Sequence, residues 1–324
     1  MKKCVKCIVI ALGCVVSLFA LLLLGVFVGN RIVYADFYKN AEKQFAIPGT
    51  NSGFVGQGLD YLEDCDAFLT CGYSAKKGEA SMVYYIDSDG NAKLTLLKNA
   101  DGSNYTGHTG GIAHYKEYVY ITGDDGCDVF LLSDFVDGNG ESKMLGTVMT
   151  PLDPAYCNVH NGKFYAGSFY RAGNYETDDW QRITTPAGDE NKSVIVVYML
   201  DDSTTDTFYV SPTLSAVYST TELVQGMTFV GDEMVLSTSY AVASSHLKFY
   251  NTAGLTADEI NVNNETAPLY YLDSDCLSRD VTAPSMSEEI VYLDGKIYIM
   301  TESASNKYIF GKFTGATHLY AYTV

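Results

Sequence analysis

One structural plan recurs five times along the chain, and that repetition constrains the fold more than any other feature. Each unit opens on a short strand-like run: Gly58-Leu59-Asp60-Tyr61, Gly111-Ile112-Ala113-His114, Cys157-Asn158-Val159-His160, Gly226-Met227-Thr228-Phe229 and Glu289-Ile290-Val291-Tyr292. A tight polar turn follows each run, for example Asn161-Gly162 and Asp294-Gly295. Next comes a second apolar run, such as Tyr118-Val119-Tyr120-Ile121-Thr122 or Met234-Val235-Leu236-Ser237-Thr238. Two short apolar runs around a polar turn predict a β-hairpin packed on both faces. A third run starts near a small residue, as in Ser193-Val194-Ile195-Val196-Val197-Tyr198 and Thr317-His318-Leu319-Tyr320-Ala321-Tyr322. Fourth strands are expected at residues 92–97, 143–148, 207–210 and 268–272. The unit starts lie 53, 46, 69 and 63 residues apart, a spacing that marks an array of small similar sheets.

The fifth unit has no fourth strand of its own, because the chain stops at Val324 soon after its third. An unpaired edge there would invite association with other chains. A strand within residues 44–56 is therefore expected to pair with residues 317–323 and close the array. Residues 173–191, with the only Trp (Trp180), and residues 252–265 read as inserted loops. On these repeats, residues 45–324 resemble the β-propeller superfamily in its five-bladed form. The resemblance implies an all-β ring of five sheets with a central channel. Five-bladed relatives include arabinan-degrading glycoside hydrolases, calcium-dependent nucleotidases and sugar-binding lectins. The signature of none of them is present; the His-Asp-Pro opening of the arabinanases is missing.

Ahead of the repeats, residues 8–28 form a run of 21 residues without a charge. As a helix it would measure roughly 30 Å, the thickness of a bilayer core. Lys2, Lys3 and Lys6 precede it, so the N-terminus is expected in the cytoplasm and the repeats outside. The run exceeds the core of an ordinary signal peptide, which favours an uncleaved anchor over cleavage after Val33-Tyr34-Ala35. The expected organisation is a cytoplasmic tail at 1–7, a transmembrane anchor at 8–28, a juxtamembrane linker at 29–43 and the propeller at 44–324. Five cysteines fall outside the anchor: Cys65, Cys71, Cys127, Cys157 and Cys276. Their odd number and the size of the domain suit small buried hydrophobes better than a disulfide framework. Cys4 and Cys7 are too short a motif for zinc.

Charge narrows the partners. The net charge is −18, yet the first 31 residues carry four of the 21 basic side chains and none of the 39 acids. An acidic exterior of that kind excludes nucleic acid as a partner and favours cations.

In a propeller, the segments before first strands and after second strands surround one mouth, where ligands usually bind. The repeats thus nominate Gln57, His108, Tyr156, Gln225 and Glu288 from the first set. Tyr73, Asp124, Tyr170, Arg171, Tyr240, Glu302 and Ser303 come from the second. Gln57-Gly58 mirrors Gln225-Gly226, so equivalent positions repeat the same chemistry. The fifth unit departs from the rest with Glu288-Glu289 and Glu302, and strand alternation would let only one of the adjacent pair face the axis. Such carboxylates could hold Ca2+, serve as a general acid and base with Asp124 and His108, or form ion pairs with Arg171 or Lys307. Glu288 and Glu302 are the candidate metal ligands.

Asp87-Ser88-Asp89-Gly90-Asn91 resembles the start of a calcium loop, but Lys98 stands where a bidentate Glu would be needed; a hairpin turn is expected. Asn104, Asn191 and Asn264 head glycosylation-type triplets. Two functions stay open. One is a binding module that presents Tyr73, Tyr156, Tyr170 and Tyr240 to an extracellular glycan, peptide or cation. The other is a glycosidase-like hydrolase using Glu288 or Glu289 with Glu302 or Asp124, with Ca2+ as its cofactor.

Overall fold

A computed structural model describes residues 2–308, 311–314 and 316–324. The side chains of Cys4 and Cys7 lie outside the described residues. The fold is a five-bladed β-propeller behind one long N-terminal helix, α1 (Lys2–Val33).

Blade 1 comprises Phe54–Leu62, Ala67–Ser74, Met82–Asp87 and Ala92–Lys98, paired antiparallel in that order. Blade 2 comprises Ile112–Tyr115, Tyr118–Thr122, Gly126–Leu131 and Gly146–Met149. Blade 3 is Pro154–His160, Lys163–Ser168, Ser193–Leu200 and Val210–Thr220. Blade 4 is Val224–Val230, Glu233–Thr238, Ser245–Asn251 and Leu277–Ala283. Blade 5 takes Ser287–Leu293, Lys296–Thr301 and His318–Thr323, and its outer strand is Ala41–Ala46 from the other end of the chain. Asn161-Gly162 and Asp294-Gly295 turn the inner hairpins of blades 3 and 5 with φ of 47°, 69°, 49° and 79°. Positive φ at both central residues matches the twist of paired strands, which is why these dipeptides mark the hairpins.

Among the described residues, five apolar clusters fill the five blade interfaces. Phe164 and Tyr120 pack between blades 2 and 3, Met227 and Tyr165 between blades 3 and 4, and Ile290 and Phe249 between blades 4 and 5. Phe68 and Met300 pack between blades 5 and 1, and Leu69 and Ile121 between blades 1 and 2. The first strands meet around the axis. A Cβ on Gly58 would stand 2.8 Å from the Ile112 nitrogen, and one on Gly226 would stand 2.5 Å from the Glu289 Cα. Only glycine lets neighbouring inner strands approach so closely.

The borrowed closing strand exists, but it is Ala41–Ala46 rather than residues 44–56. Residues 49–53 turn, and Phe54 already belongs to blade 1. The closing strand alternates weakly and is half exposed, so its pattern carries little signal. The outer strands differ similarly. Of 143–148, Lys143 ends a short strand, Glu141–Lys143, that lies parallel on the edge of blade 1. Residues 205–207 are a single turn of 3-10 helix, and the fourth strand of blade 3 starts at Val210. The strand Glu265–Tyr271, which holds residues 268–271, adds to the edge of blade 3 rather than blade 4. It forms a hairpin with Asp258–Val262, so 252–265 is partly strand, and 173–191 carries the small hairpin of Ile183–Thr184 and Glu190–Asn191.

The segment expected to be a linker is folded onto the propeller. Helix α2 (Ala35–Asn40) buries Phe37, whose ring stacks on Tyr322 with centroids 5.5 Å apart. Tyr34 is buried as well, and its hydroxyl lies 3.2 Å from both Ser244 Oγ and Ser285 Oγ. Residues 8–33 of α1 are long and apolar enough to cross a membrane. Cys71, Cys127 and Cys157 are buried free thiols, Cys276 is half-buried and Cys65 is exposed. Asp87 Oδ1 accepts from the backbone N–H of Asp89 and Asn91, forming the expected hairpin turn. Asn191 is buried and donates to Ser219 Oγ and Leu272 O, whereas Asn104 and Asn264 are exposed.

Candidate functional site

The site begins with a bulge repeated in the first strands. In blade 1 the register steps from Gly56 opposite Gly72 to Gly58 opposite Cys71, which leaves Gln57 as the extra residue. Blade 4 does the same at Gln225 and blade 3 at Ala155. A bulge re-aims the side chain it inserts. Gln57, Ala155 and Gln225 line one cavity of about 1330 Å³ at the mouth, as does Gly110 of blade 2. The corresponding position in blade 5 is Glu288, and there the register steps from Ser287 opposite Thr301 to Ile290 opposite Ile299. This bulge breaks the strict alternation expected for Glu288-Glu289 and buries both side chains.

Their two roles diverge. Glu289 occupies the axis, where Oε2 accepts the backbone N–H of Leu59 at 3.0 Å and of Ile112 at 2.9 Å. It ties the inner strands of blades 1 and 2 to blade 5. Burial drives its carboxyl well above the usual carboxylate range, and these backbone donors pull the other way. Glu288 is also driven well above that range, by burial first and then by the charges of Glu302 and Glu289. Oε1 of each has no hydrogen-bond partner among the described residues.

A polar chain climbs from there to the rim. Gln57 Nε2 donates to Glu302 Oε2 at 3.0 Å. Glu302 also shares a hydrogen bond with Tyr308. Burial raises the Glu302 carboxyl, opposed by Gln57, Tyr308 and the charge of Lys307. The Tyr308 hydroxyl, pushed up to about 12 by burial and then by Glu302, lies 3.1 Å from the Tyr73 hydroxyl. Lys307 Nζ donates to Tyr73 Oη at 2.6 Å and sits 4.5 Å above the Tyr73 ring. The Tyr73 ring also stacks on His108, with centroids 4.9 Å apart. His108 is open to solvent at its outer edge. The protein packed around it, and then Lys307, lower its pKa, while Asp124 opposes them. Burial and the charge of Lys307 both favour the neutral imidazole, which donates from one nitrogen and accepts at the other.

The opposite wall is acidic. Asp124, Asp125, Asp153, Glu176 and Asp178 line it, so among the described residues six carboxylates with Glu302 face Lys307 from the lining, and Glu176 is paired with Arg182 at 3.0 Å. Burial raises the Asp153 carboxyl, and then the charges of Asp125, Asp124 and Asp178 raise it further. Among the described residues, no three of His, Cys, Asp and Glu gather with metal-holding geometry.

Of the residues nominated from the sequence, Gln57, His108, Asp124, Gln225, Tyr240 and Glu302 share the cavity. Tyr73 lines an adjoining recess that includes His108. Arg171 lies 4.0 Å over the Tyr240 ring, and no ion pair joins it to Glu288, Glu289 or Glu302 among the described residues. Tyr156 is not at the mouth. Counted back from the hairpin, Ala155 is the bulged residue, so Tyr156 points inward and its ring fills the space against Gly167. Tyr170 is buried with Arg182 5.5 Å over its ring, and Ser303 is buried with its hydroxyl donating to Ala316 O at 2.8 Å. Tyr308, Asp125, Asp153 and Asp178 were not nominated. The acidic run Asp124-Asp125 and the charge imbalance pointed towards the acids, but nothing marked Tyr308.

No family model matches the chain, and no curated protein matches it. Solved structures do. Glutaminyl cyclase from Myxococcus xanthus is 8% identical at a TM-score of 0.44, covering 81% of this chain and 91% of that one. A nidogen/laminin complex is 12% identical at a TM-score of 0.38, covering 77% and 73%. AztD from Citrobacter koseri is 12% identical at a TM-score of 0.29, covering 76% and 80%.

Proposed function

We propose that this chain is a single-pass membrane protein that holds a propeller outside the cell and binds a small extracellular ligand at the propeller mouth. The observation that carries this reading is the cavity of about 1330 Å³, whose described lining holds six carboxylates and one lysine, with Glu176 alone of these acids paired to an arginine. Crowded like charges raise the energy of the empty cavity, and a positively charged ligand relieves that cost. The Asp153 carboxyl is raised by burial first and then by the neighbouring charges of Asp125, Asp124 and Asp178, in line with that crowding. A cation, an organic amine or a basic peptide fits this wall best. Tyr240, Gln225 and Gln57 add an aromatic face and amide hydrogen bonds, which also suit a glycan.

A second reading has its own support. Burial raises both the Glu288 and the Glu302 carboxyls, and the charge of Glu302 raises Glu288 further. A pair of this kind can divide acid and base roles, so a hydrolase with Glu302 at the reacting position, and Ca2+ between the carboxylates, is the alternative.

Thermal melting of the purified protein separates the readings. Ca2+, EDTA, a basic peptide and a glycan panel are the probes. A ligand at 100 times its dissociation constant should add roughly 2.7 kcal/mol. Stabilisation that disappears in Asp125→Asn/Asp153→Asn supports the binding reading. Turnover of a glycan that Glu302→Gln abolishes supports the hydrolase. No stabilisation and no turnover with any probe removes both.

A further inference from the structure

The end of the anchor is fixed to one face of the propeller, and it is the face that carries the cavity. Tyr34 bonds Ser244, in the loop after the second strand of blade 4, and Ser285, in the loop entering blade 5. Both loops belong to the mouth, and their neighbours Val242 and Met286 line the cavity. Helix α1 also packs against the short helix Gly311–Thr314, in the mouth-side loop of blade 5. Before that contact the apolar span is unburied by the rest of the protein, so it leaves the domain rather than running down its flank. Tyr34 lies six residue steps beyond Val28, about 9 Å of helix. That is slightly more than the interfacial layer of roughly 5–8 Å on one side of a bilayer, so Tyr34 sits at the membrane surface.

The rim itself carries the second observation. Outside α1, the three most exposed large apolar side chains among the described residues are Val242 at 68%, Met149 at 64% and Tyr175 at 57%. All three line the mouth cavity, and they come from blades 4, 2 and 3. Val242 lies in the loop whose Ser244 bonds Tyr34 at the end of the anchor. Ser285 Oγ, the partner of Tyr34, donates to Val242 O at 2.9 Å, and Ile32 and Val33 at the end of α1 are themselves 71% and 64% exposed. Exposed apolar side chains gathered on one face mark a contact surface.

We infer that the mouth of the propeller faces the membrane its anchor spans, with Val242, Met149 and Tyr175 resting in the lipid interface. The occupant of this surface is the bilayer. Ligands then reach the acidic cavity along the membrane surface, through the gap between rim and lipid. The inference rests on reading residues 8–28 as an uncleaved anchor.

Lipid-quenched fluorescence of the full-length protein in phosphatidylcholine nanodiscs tests it. Trp180 is the only tryptophan, so Trp180→Phe gives a silent background. Into it go Val242→Trp or Met149→Trp at the rim, or Asp232→Trp at an exposed hairpin on the opposite face. With headgroup-nitroxide lipid, each rim probe should lose roughly half its emission or more, as expected for side chains 5–10 Å deep in the interface. Asp232→Trp should keep its emission. Equal quenching at both faces, or quenching at Asp232→Trp alone, overturns the orientation. Loss of residues 1–35 with release from carbonate-washed membranes overturns the anchor reading instead and takes the orientation with it. Circular dichroism of each variant separates misfolding from exposure, and two independent rim positions guard against a single failed substitution.

Discussion

Replacing Glu289 should weaken the propeller in a way set by which atoms the replacement keeps. Its Oε2 is the acceptor for two buried backbone donors, from Leu59 and Ile112. Alanine orphans both, and each buried unsatisfied donor costs about 1–3 kcal/mol, so Glu289→Ala should lose about 2–6 kcal/mol. Glutamine keeps an acceptor oxygen and cannot ionise, so Glu289→Gln should lose much less. The pH dependence provides the sharper test. The folded carboxyl sits well above its unfolded value. Its contribution is therefore complete below the unfolded pKa of about 4.3 and is lost as pH rises through the folded pKa. The native protein should lose stability as pH rises, and Glu289→Gln should have a shallower slope. The slope should not vanish, because Glu288 and Glu302 shift in the same direction. Urea denaturation between pH 5 and 9 measures all three proteins. An alanine variant as stable as the glutamine variant, or an unchanged slope in Glu289→Gln, would refute the axial role of this carboxyl.

Other substitutions probe other parts of the account. Phe37→Ala removes a buried ring stacked on Tyr322 and should cost about 3–5 kcal/mol by denaturation, whereas a flexible linker would show no loss. Lys307→Met should raise the pKa of both His108 and Glu302, since its charge lowers both; NMR titration of the imidazole reads the first directly. Gly226→Ala should destabilise strongly, because its Cβ would meet the Glu289 backbone at 2.5 Å and backbone cannot swing aside.

The inner half of each blade was legible because it is buried on both faces. Segments such as Met234–Leu236 and Val194–Val197 read as apolar runs, and dipeptides such as Asn161-Gly162 and Asp294-Gly295 punctuate them. Outer strands were not legible. Leu277–Ala283 is mostly exposed and polar, held by its ladder with Ser245–Asn251 more than by burial, so no apolar pattern announces it. The same holds for Ala41–Ala46. Most of the mouth followed from the repeat, since Gln57, His108, Gln225, Tyr240 and Glu302 do converge. Tyr156 failed through a slip of one residue, which in a strand exchanges the two faces. The inserted residue of blade 3 is Ala155, whose small side chain gave no sign of a bulge. The contacts of Glu302 with Tyr308 and of Tyr73 with His108 depend on loop geometry, which periodicity does not encode.

The central claim is that the segment after the apolar helix is part of the propeller, packing on it through Phe37 and completing blade 5. Amide hydrogen exchange of the full-length protein over residues 36–46 tests it most directly. Protection at Ala41–Ala46 approaching that of its partner strand His318–Thr323 is the predicted result. Exchange at the rate of an unstructured peptide across 36–46, with His318–Thr323 unprotected on its outer edge, would contradict it.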